Sequence, residues 1–326
     1  MTCLDQAAAV MDGVLIVHKE AGWTSHDVVA KLRSVLGVSK VGHAGTLDPA
    51  ATGVLPVLTG RGTRIAEYLV EWDKEYRAVL RLGETTDTQD ATGMVLSRHL
   101  AGHITGPEIE HALERFRGVI QQVPPMYSAL KVDGVPLYRS ARAGKTIVRE
   151  ARSITVSHLD LLSFDGTDAT LRVVCSKGTY VRTLCADIGE ILGVGGHLLA
   201  LERSRVGPLT LDHAMSVEEI ARRQALGILS HTMLSLDRAL NEFPVLVVNG
   251  QTAARVRNGV SVPFADVLNR ETATDCTPRQ DSIVRIHDEG GTLLAIGRGP
   301  DRSGAVYAIE KVLVDRDHGS VSRREL

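Results

Sequence analysis

A single acid lies in a stretch of sequence whose composition favours a shaped loop. Residues 41–55 read VGHAGTLDPAATGVL, and Asp48 is their only acid. Three glycines, one proline and two threonines disfavour both a helix and a long strand here. Apart from His43, no side chain in this stretch can compensate a negative charge. A loop built around one carboxylate suits a nucleophile, whereas an Asp-Pro turn that merely opens a strand over 54–58 is the alternative interpretation.

Basic residues accumulate further along the chain, between residues 131 and 152. This segment has six basic and two acidic residues, a net charge of +4, and also contains Gly134, Pro136 and Gly144. We therefore predict an extended basic arm that contacts nucleic-acid phosphates, although a solvated charged face is the usual explanation of such a run. The net charge of −2 for the whole chain argues only mildly against a nucleic-acid partner, because the distribution of charge matters more than its sum.

The sequence contains no motif for a metal or a nucleotide cofactor. Neither C-x-x-C nor any other metal spacing links the four cysteines, which are Cys3, Cys175, Cys185 and Cys276. The glycine runs that begin at Gly60 and Gly193 lack P-loop and dinucleotide spacing and are interpreted as turns. EF-hand spacing is absent from Glu84, Asp87 and Asp90, so we interpret these acids as part of a solvated loop. We expect no metal, no cofactor and reduced cysteines.

Composition places the chain among ordinary globular proteins. Its 326 residues are 44% hydrophobic and 23% charged, which suits one large domain and one small one. No apolar run approaches the roughly 20 residues of a membrane span. Residues 1–12 contain acids but not the basic region of a signal peptide. We expect a cytoplasmic monomer with no membrane partner.

The apolar pattern predicts the helices and strands that must position these residues. Strands are predicted at 13–18, directly after the Asp48 loop, at 76–82, and as an antiparallel pair at 153–164 and 170–176. One face of strand 76–82 carries Tyr76, Ala78, Leu80 and Leu82. Helices are predicted to begin at Thr24 or Ser25, Thr63, Thr105 and Thr179. Because helix and strand do not alternate strictly, the pattern indicates an α+β fold.

A second, smaller module is predicted to begin near Pro244, where the pattern changes. Its predicted elements are a strand at 245–248, a helix at 250–257, a hairpin of 282–287 with 292–297, and a strand at 305–312. Short strands with one helix indicate a small β-barrel-like domain. The polar segment 269–279 is predicted to be a mobile loop, and residues 317–326 a disordered tail.

Five stretches of this sequence, in order, resemble the motifs of the TruB family of tRNA pseudouridine synthases. The central one is GHAGTLDPAATGVL at 42–55, followed by GRGTR at 60–64. The others are GWTS at 22–25, DKEY at 73–76, PPMYSALK at 124–131 and CSKGTYVR at 175–182. Together they span roughly residues 12 to 210. They occur in the same order as in the family, which makes a chance match implausible.

The resemblance implies a fold, a reaction and a domain plan. The fold would be that of the pseudouridine synthases, a mixed and mostly antiparallel sheet with flanking helices and a cleft across one face. The reaction would convert uridine 55 in the T-loop of tRNA to pseudouridine by flipping the base, without a cofactor or a metal. The plan would be a tail at 1–11, a catalytic domain at 12–240 with its basic arm at 131–152, and a PUA-like RNA-binding domain at 241–316.

The resemblance also assigns roles to individual residues of the catalytic centre. Asp48 would be the catalytic carboxylate, acting on the sugar, on the base or on a sugar proton. Arg182 would hold both oxygens of Asp48 in a bidentate fork and lower its pKa. Tyr76 would stack on the target base or act as a general base, with simple core packing as the alternative. Tyr180 and Leu201 would line the same pocket, although core packing explains Leu201 almost equally well.

Further residues would contact the RNA. His43 would stack into the RNA and help to hold the base out, or else hydrogen-bond within its own loop. Lys19 would meet a phosphate, although His18 and Glu20 replace the Asp and Pro that usually flank it in the family. Within the basic arm, the predicted phosphate contacts are Arg142, Lys145 and Arg149.

Two other functions fit parts of the sequence. One is a tRNA-binding folding factor whose chemistry is dispensable, since opening the tRNA elbow can itself help a misfolded tRNA to rearrange. The other is a glycosidase, which would require a second acid paired with Asp48. No such partner is evident in the sequence, so we expect the isomerase.

Overall fold

The computed structural model describes residues 11–132, 134–271, 280–301 and 304–315, without the side chains of residues 269–271. Cys3, Cys276 and the predicted tails at 1–11 and 317–326 lie outside these ranges, except for Met11. The predicted mobile loop at 269–279 also lies outside them, apart from the backbone of its first three residues.

The larger part of the described chain combines thirteen strands with seven α-helices. The strands are β1 (Gly13–Lys19), β2 (Val41–His43), β3 (Thr52–Thr59), β4 (Lys74–Leu82), β5 (Glu84–Thr86), β6 (Val95–Arg98), β7 (Gly118–Gln122), β8 (Lys131–Val132), β9 (Val135–Pro136), β10 (Arg152–Phe164), β11 (Asp168–Cys175), β12 (Gly196–Val206) and β13 (Leu209–Thr210). The helices are α1 (Ser25–Leu36), α2 (Ala66–Glu71), α3 (Gly106–Leu113), α4 (Leu137–Arg142), α5 (Val181–Ile191), α6 (Val217–Ala225) and α7 (Leu236–Ala239).

One mixed sheet organises this part of the molecule. Its strand order is β1-β3-β12-β4-β11-β10-β7, with β2 paired to β3 and β13 paired to β12. All of these pairings are antiparallel except the short contact between β3 and β12. The predicted α+β class is confirmed. The pairings of β3 with β12, of β12 with β4 and of β4 with β11 bring distant parts of the chain together, because the paired strands are remote in sequence.

The parallel contact between β3 and β12 depends on a glycine. Gly53 has a φ of 106°, which favours glycine, and it lies opposite Arg203 in the register. A Cβ atom at this position would lie 2.2 Å from the carbonyl oxygen of Arg203. Only glycine therefore lets β12 approach the end of the Asp48 loop this closely.

Helix α1 forms because its ends and its apolar face are encoded locally. Thr24 caps the first turn, since its Oγ1 accepts a hydrogen bond from the Asp27 amide at 3.0 Å while the Asp27 carboxylate accepts one from the Thr24 amide at 2.8 Å. Gly37 ends the helix in the left-handed conformation. Its buried side chains are Ser25, Val28, Val29, Leu32 and Leu36. The predicted helix is confirmed at both ends.

For β4, α2 and α5 the predicted element is present, but the predicted burial of Tyr76 or the predicted first residue of the helix was wrong. Strand β4 buries Ala78, Leu80 and Leu82 as predicted and leaves Tyr76 half-buried. The helix predicted from Thr63 begins only at α2, because the preceding residues form a 3₁₀ helix (Gly60–Ile65). The helix predicted from Thr179 begins two residues later, at α5, because the Thr179 hydroxyl donates to the Ser176 carbonyl within the preceding turn.

The basic segment is not the extended arm that its composition predicts. It opens with a hairpin of β8 and β9 and continues as the short helix α4. The prediction overlooked that residues 137–142, between Pro136 and Gly144, contain no residue that disfavours a helix. Beyond Arg142 no helix or strand forms until β10, and most of that stretch is exposed.

The C-terminal module is a small β-rich unit, as predicted. It contains α8 (Gly250–Arg257) and a six-stranded sheet of β14 (Val245–Val248), β15 (Val262–Pro263), β16 (Val267–Glu271), β17 (Ser282–Asp288), β18 (Leu293–Gly299) and β19 (Val306–Val312). The sheet order is β15-β19-β18-β17-β14-β16. Strands β15 and β16 escaped the sequence analysis, since β15 is only two residues long and β16 runs into the polar segment.

The C-terminal module shares an apolar core with the larger sheet. Ile296 and Leu313 belong to the same buried cluster as Tyr68 and Leu240. The Tyr68 hydroxyl donates to Glu310 at 2.7 Å, and Arg285 pairs with Asp237 at 2.7 Å. The two parts are therefore packed together rather than tethered. No helix within the described residues is long and apolar enough to cross a membrane.

Candidate active site

The predicted pairing of Asp48 with Arg182 is present, in a different geometry. One guanidinium nitrogen, Nη2 of Arg182, lies 3.1 Å from Oδ1 and 3.0 Å from Oδ2 of Asp48. The Arg182 side chain is 8% exposed, whereas that of Asp48 is 40% exposed. The predicted fork, in which two nitrogens each hold one oxygen, does not form because Nη1 of Arg182 faces another carboxylate. Arg182 thus holds both oxygens of an Asp48 carboxylate that remains partly exposed.

That other carboxylate belongs to Asp90, and the prediction that it lies in a solvated loop was wrong. Its Oδ2 is 3.5 Å from Nη1 of Arg182, and its side chain is only 16% exposed. Its Oδ1 accepts hydrogen bonds from the hydroxyls of Thr88 and Thr92 and from the Thr92 amide, at 2.6–2.9 Å. The loop is secured to β12 by backbone hydrogen bonds with Leu198. The pattern T-x-D-x-T was the signal in the sequence that could have revealed this fixed acid.

Burial and the surrounding charges together set the pKa of the Asp48 carboxyl, some raising it and others lowering it. Desolvation raises the pKa of its carboxyl above the ordinary value, and this is the largest effect. The Arg182 guanidinium lowers the pKa, Asp90 raises it, and Lys19 lowers it to a smaller extent. The site therefore holds a carboxylate whose ionisation depends on Arg182.

The backbone of the Asp48 loop is fixed on one side by the turn between β1 and α1. The Ser25 hydroxyl accepts from the Leu47 amide at 2.9 Å and donates to the Leu47 carbonyl at 3.2 Å. The ammonium of Lys19 donates to the carbonyls of Glu20, Trp23 and Pro49, at 2.9, 2.7 and 3.2 Å. All three of its hydrogens are used and its side chain is fully buried, so this arrangement leaves none for the predicted phosphate contact.

Three of the predicted pocket residues lie on elements adjacent to this pair. Tyr76 is in β4, and Leu201 lies on β12 opposite Ala78 of β4. Tyr180 precedes α5, where its backbone amide and carbonyl both hydrogen-bond to the Gln122 side chain, at 2.8 and 3.1 Å. Burial raises the pKa of the Tyr76 hydroxyl above its ordinary value of 10, so that it stays protonated at neutral pH.

His43 lies at the entrance to the Asp48 loop and forms a ring pair with His26 of α1. The ring centroids are 5.5 Å apart and the planes are nearly perpendicular, at 82°. Burial lowers the pKa of His43 to about 4, so the ring is neutral at physiological pH. Its Nδ1 atom is buried and has no hydrogen-bond partner within the described part of the chain. A neutral ring of this kind is suited to stacking.

The predicted phosphate contacts of the basic segment differ in their exposure. Arg142 and Lys145 are exposed, and the Arg142 guanidinium lies 5.7 Å from the centroid of the Tyr138 ring. Arg149 is half-buried and donates from Nη1 to the Pro124 carbonyl at 3.2 Å. Two of the three side chains are therefore open to a ligand, and the third holds the segment against the preceding loop.

Comparison with known proteins decides the family. The model of the TruB family pseudouridylate synthase N-terminal domain matches residues 33–181, and that of the tRNA pseudouridylate synthase B C-terminal domain matches residues 182–241. The chain belongs to the TruB family. It is 44% identical to tRNA pseudouridine synthase B of Geotalea uraniireducens, over 88% of this chain and 92% of that one. For the Clostridium perfringens enzyme the identity is 41%, over 94% of this chain and the whole of that one.

Membership of this family establishes the reaction class. The enzyme isomerises uridine to pseudouridine in tRNA. Its fold is that of the solved pseudouridine synthases. A structure of a Cbf5-Nop10-Gar1 complex matches with a TM-score of 0.75 at 26% identity, over 94% of this chain and 87% of that one. An H/ACA RNP bound to a substrate RNA containing 2′-deoxyuridine matches with a TM-score of 0.74 at 24% identity, over the same shares.

Proposed function

We propose that this enzyme converts uridine 55 in the T-loop of tRNA and that Asp48 is its catalytic carboxylate. The observation that carries the proposal is the Asp48–Arg182 pair, in which a buried guanidinium holds a carboxylate that stays partly exposed. We propose further that the enzyme acts on tRNA as a monomer in the cytoplasm.

The reaction requires the residues of this site in distinct roles. It breaks the bond between N1 and C1′, turns the base and joins C5 to C1′, so that the proton lost from C5 is balanced by one gained at N1. An ionised Asp48 can attack the sugar, attack the base or remove the C2′ proton, and the Arg182 guanidinium favours this charged form in each case. We propose that Tyr76 stacks on the base rather than acting as a general base, because its raised pKa keeps the hydroxyl protonated.

The remaining roles concern the flipped nucleotide and its surroundings. We propose that the neutral ring of His43 stacks in the RNA at the entrance to the loop, and that Tyr180 and Leu201 line the pocket. For Lys19 we propose that it positions the loop, since all of its hydrogens are bound by carbonyls.

The domain plan of this proposal divides the chain between residues 240 and 241. The catalytic domain would span 12–240, and a PUA-like RNA-binding domain would span 241–316. Support comes from the near-barrel arrangement of the C-terminal sheet. The core shared by Leu240 and Ile296 implies that this domain holds a fixed orientation relative to the catalytic domain.

The position of the modified uridine can be tested directly. We expect the purified enzyme to form pseudouridine at position 55 of an unmodified tRNA transcript and in an isolated T stem-loop. A transcript with cytidine at position 55 serves as the matched control and is expected to gain no pseudouridine. Carbodiimide labelling followed by primer extension locates the product. Product at another position, or none in the T stem-loop, would contradict the proposed substrate.

Reversing the exposed charges Arg142 and Lys145 to Glu is expected to weaken tRNA binding and to flatten its salt dependence. Each lost phosphate contact removes roughly 0.7–0.9 from the slope of log K against log salt concentration. Filter binding across a salt series measures that slope. The control pair is Arg115→Glu with Arg238→Glu, since both side chains are exposed outside the segment. An unchanged slope in the Arg142 and Lys145 variant would show that the segment is merely a solvated face.

A further inference from the structure

Arg203 of β12 is a buried cation next to the proposed site. The residue is only 1% exposed, and no carboxylate within the described ranges lies within ion-pairing distance of it. A buried guanidinium requires other partners to offset its loss of hydration. Its hydrogen bonds therefore show which part of the structure it serves.

Its guanidinium hydrogen-bonds the Asp48 loop on both sides of Asp48. Nη2 donates to the Gly45 carbonyl at 2.9 Å and Nη1 to the Thr46 carbonyl at 3.5 Å, on the segment that leads into Asp48. Nε donates to the Val54 carbonyl at 2.8 Å, on the segment that leaves it. One rigid, planar group thus closes the base of the loop.

The same guanidinium reaches the residue proposed to stack on the base. Arg203 lies opposite Tyr76 in the pairing of β12 with β4, so the two side chains share a face of the sheet. The charge of the Arg203 guanidinium lowers the pKa of the Tyr76 hydroxyl and so partly offsets the effect of burial on that group. Arg203 is therefore linked both to the loop that carries Asp48 and to Tyr76.

Two other supports of the loop lie on a different element of the fold. Ser25 and Lys19 hold the backbone at Leu47 and Pro49, and both belong to the turn between β1 and α1. They fix the loop against that turn. The hydrogen bonds of Arg203 instead join the loop to β12, the strand that pairs with β4.

We propose that Arg203 is a positioning residue for the isomerisation, which fixes the Asp48 loop relative to Tyr76 so that carboxylate and base meet in reactive geometry. This inference rests on the proposed function, because the proposed function assigns the roles of Asp48 and Tyr76. Displacement of reacting groups by about 1 Å can cost on the order of 100-fold in rate. If the loop is released at its base by replacing Arg203, we expect the isomerisation rate to fall by this mechanism. The RNA-binding surface is expected to remain intact.

The test compares Arg203→Met and Arg203→Lys with the full-length enzyme in single turnover at saturating enzyme concentration. We expect the Met variant to lose about 100-fold in rate with a tRNA Kd within about threefold of the parent. The Lys variant keeps the charge and can donate, so we expect partial rescue. Arg205→Met is the matched control, because Arg205 lies two residues further along β12 and pairs with Glu75 at the sheet surface. Its rate is expected to be unchanged.

Hydrogen exchange distinguishes positioning from general destabilisation. In folded Arg203 variants we expect faster exchange confined to the amides of residues 44–54. Exchange that rises equally through β3, β4 and β12, with a rate loss matching the unfolded fraction, would overturn the proposal. A rate equal to that of the parent in a folded Met variant would also overturn it. If the Met variant does not fold, the Lys variant decides: a parental rate together with parental exchange at 44–54 overturns the proposal.

Asp48→Asn is assayed in parallel to separate the two proposals. If this variant retains the parental rate, the assignment of Asp48 fails whatever Arg203 does. If it is inactive while the folded Arg203 variants keep the parental rate, only the role of Arg203 fails.

Discussion

Asp48→Asn is expected to lower the single-turnover rate by several orders of magnitude while tRNA affinity stays within a few-fold of the parent. The side chains are nearly isosteric, so the loop keeps its shape and the amide oxygen can still accept from Arg182. Only the charge and the nucleophilicity are lost, and the second acid on this guanidinium, Asp90, contacts Nη1 rather than the Nη2 atom that Asp48 contacts. Product formation and filter binding, measured on the same preparation, separate the chemical step from binding.

A matched control exists on β10 of the same sheet. Asp160 is 45% exposed, close to the 40% of Asp48, and it pairs with Arg172 at 3.3 Å. Asp160→Asn therefore removes a similarly exposed carboxylate from a similar ion pair that does not include Arg182, and we expect an unchanged rate. Appreciable product from Asp48→Asn in single turnover would remove Asp48 from the chemistry, whereas equal losses in both variants would indicate a general electrostatic effect.

The elements that were predicted correctly are those whose signals are local. For α1 the cap at Thr24, its partner Asp27 and the terminating Gly37 lie within fourteen residues of one another. Alternation alone was sufficient to identify the buried face of β4. The first residues of α2 and α5 could not be predicted. A 3₁₀ helix replaces the first α-helical turn before α2, and a turn held by the Thr179 hydroxyl does so before α5.

The site was less accessible to sequence analysis because its contacts join distant residues. The hydrogen bond between Arg182 and Asp48 spans 134 positions, and the one between Arg203 and Gly45 spans 158. The pairing of Arg182 was predicted from a family resemblance, since nothing in the local pattern distinguishes it from a surface arginine. Arg203 and Asp90 escaped prediction because only the sheet topology brings them to the loop.

Arg182→Met is expected to lower the rate strongly and to shift its pH dependence. The rate requires an ionised Asp48 and therefore falls as the pH drops through the pKa of that carboxyl. Burial already raises this pKa and Arg182 opposes the rise, so removing the guanidinium raises the pKa further. The acidic limb of the pH–rate profile should therefore move to higher pH. Asp90→Asn should move the limb in the opposite direction, because Asp90 raises the pKa of Asp48.

Arg182→Lys separates the charge of this residue from its shape. A lysine keeps one positive charge, but it cannot contact both Asp48 and Asp90 with a planar group as Arg182 does. We expect a smaller shift of the acidic limb than in the Met variant, together with a rate loss on the order of 100-fold from lost alignment. Arg172→Met is the control, since Arg172 also bridges two carboxylates, Glu75 and Asp160, and is expected to change neither quantity. An acidic limb that stays in place in Arg182→Met would show that Arg182 does not govern the ionisation of Asp48.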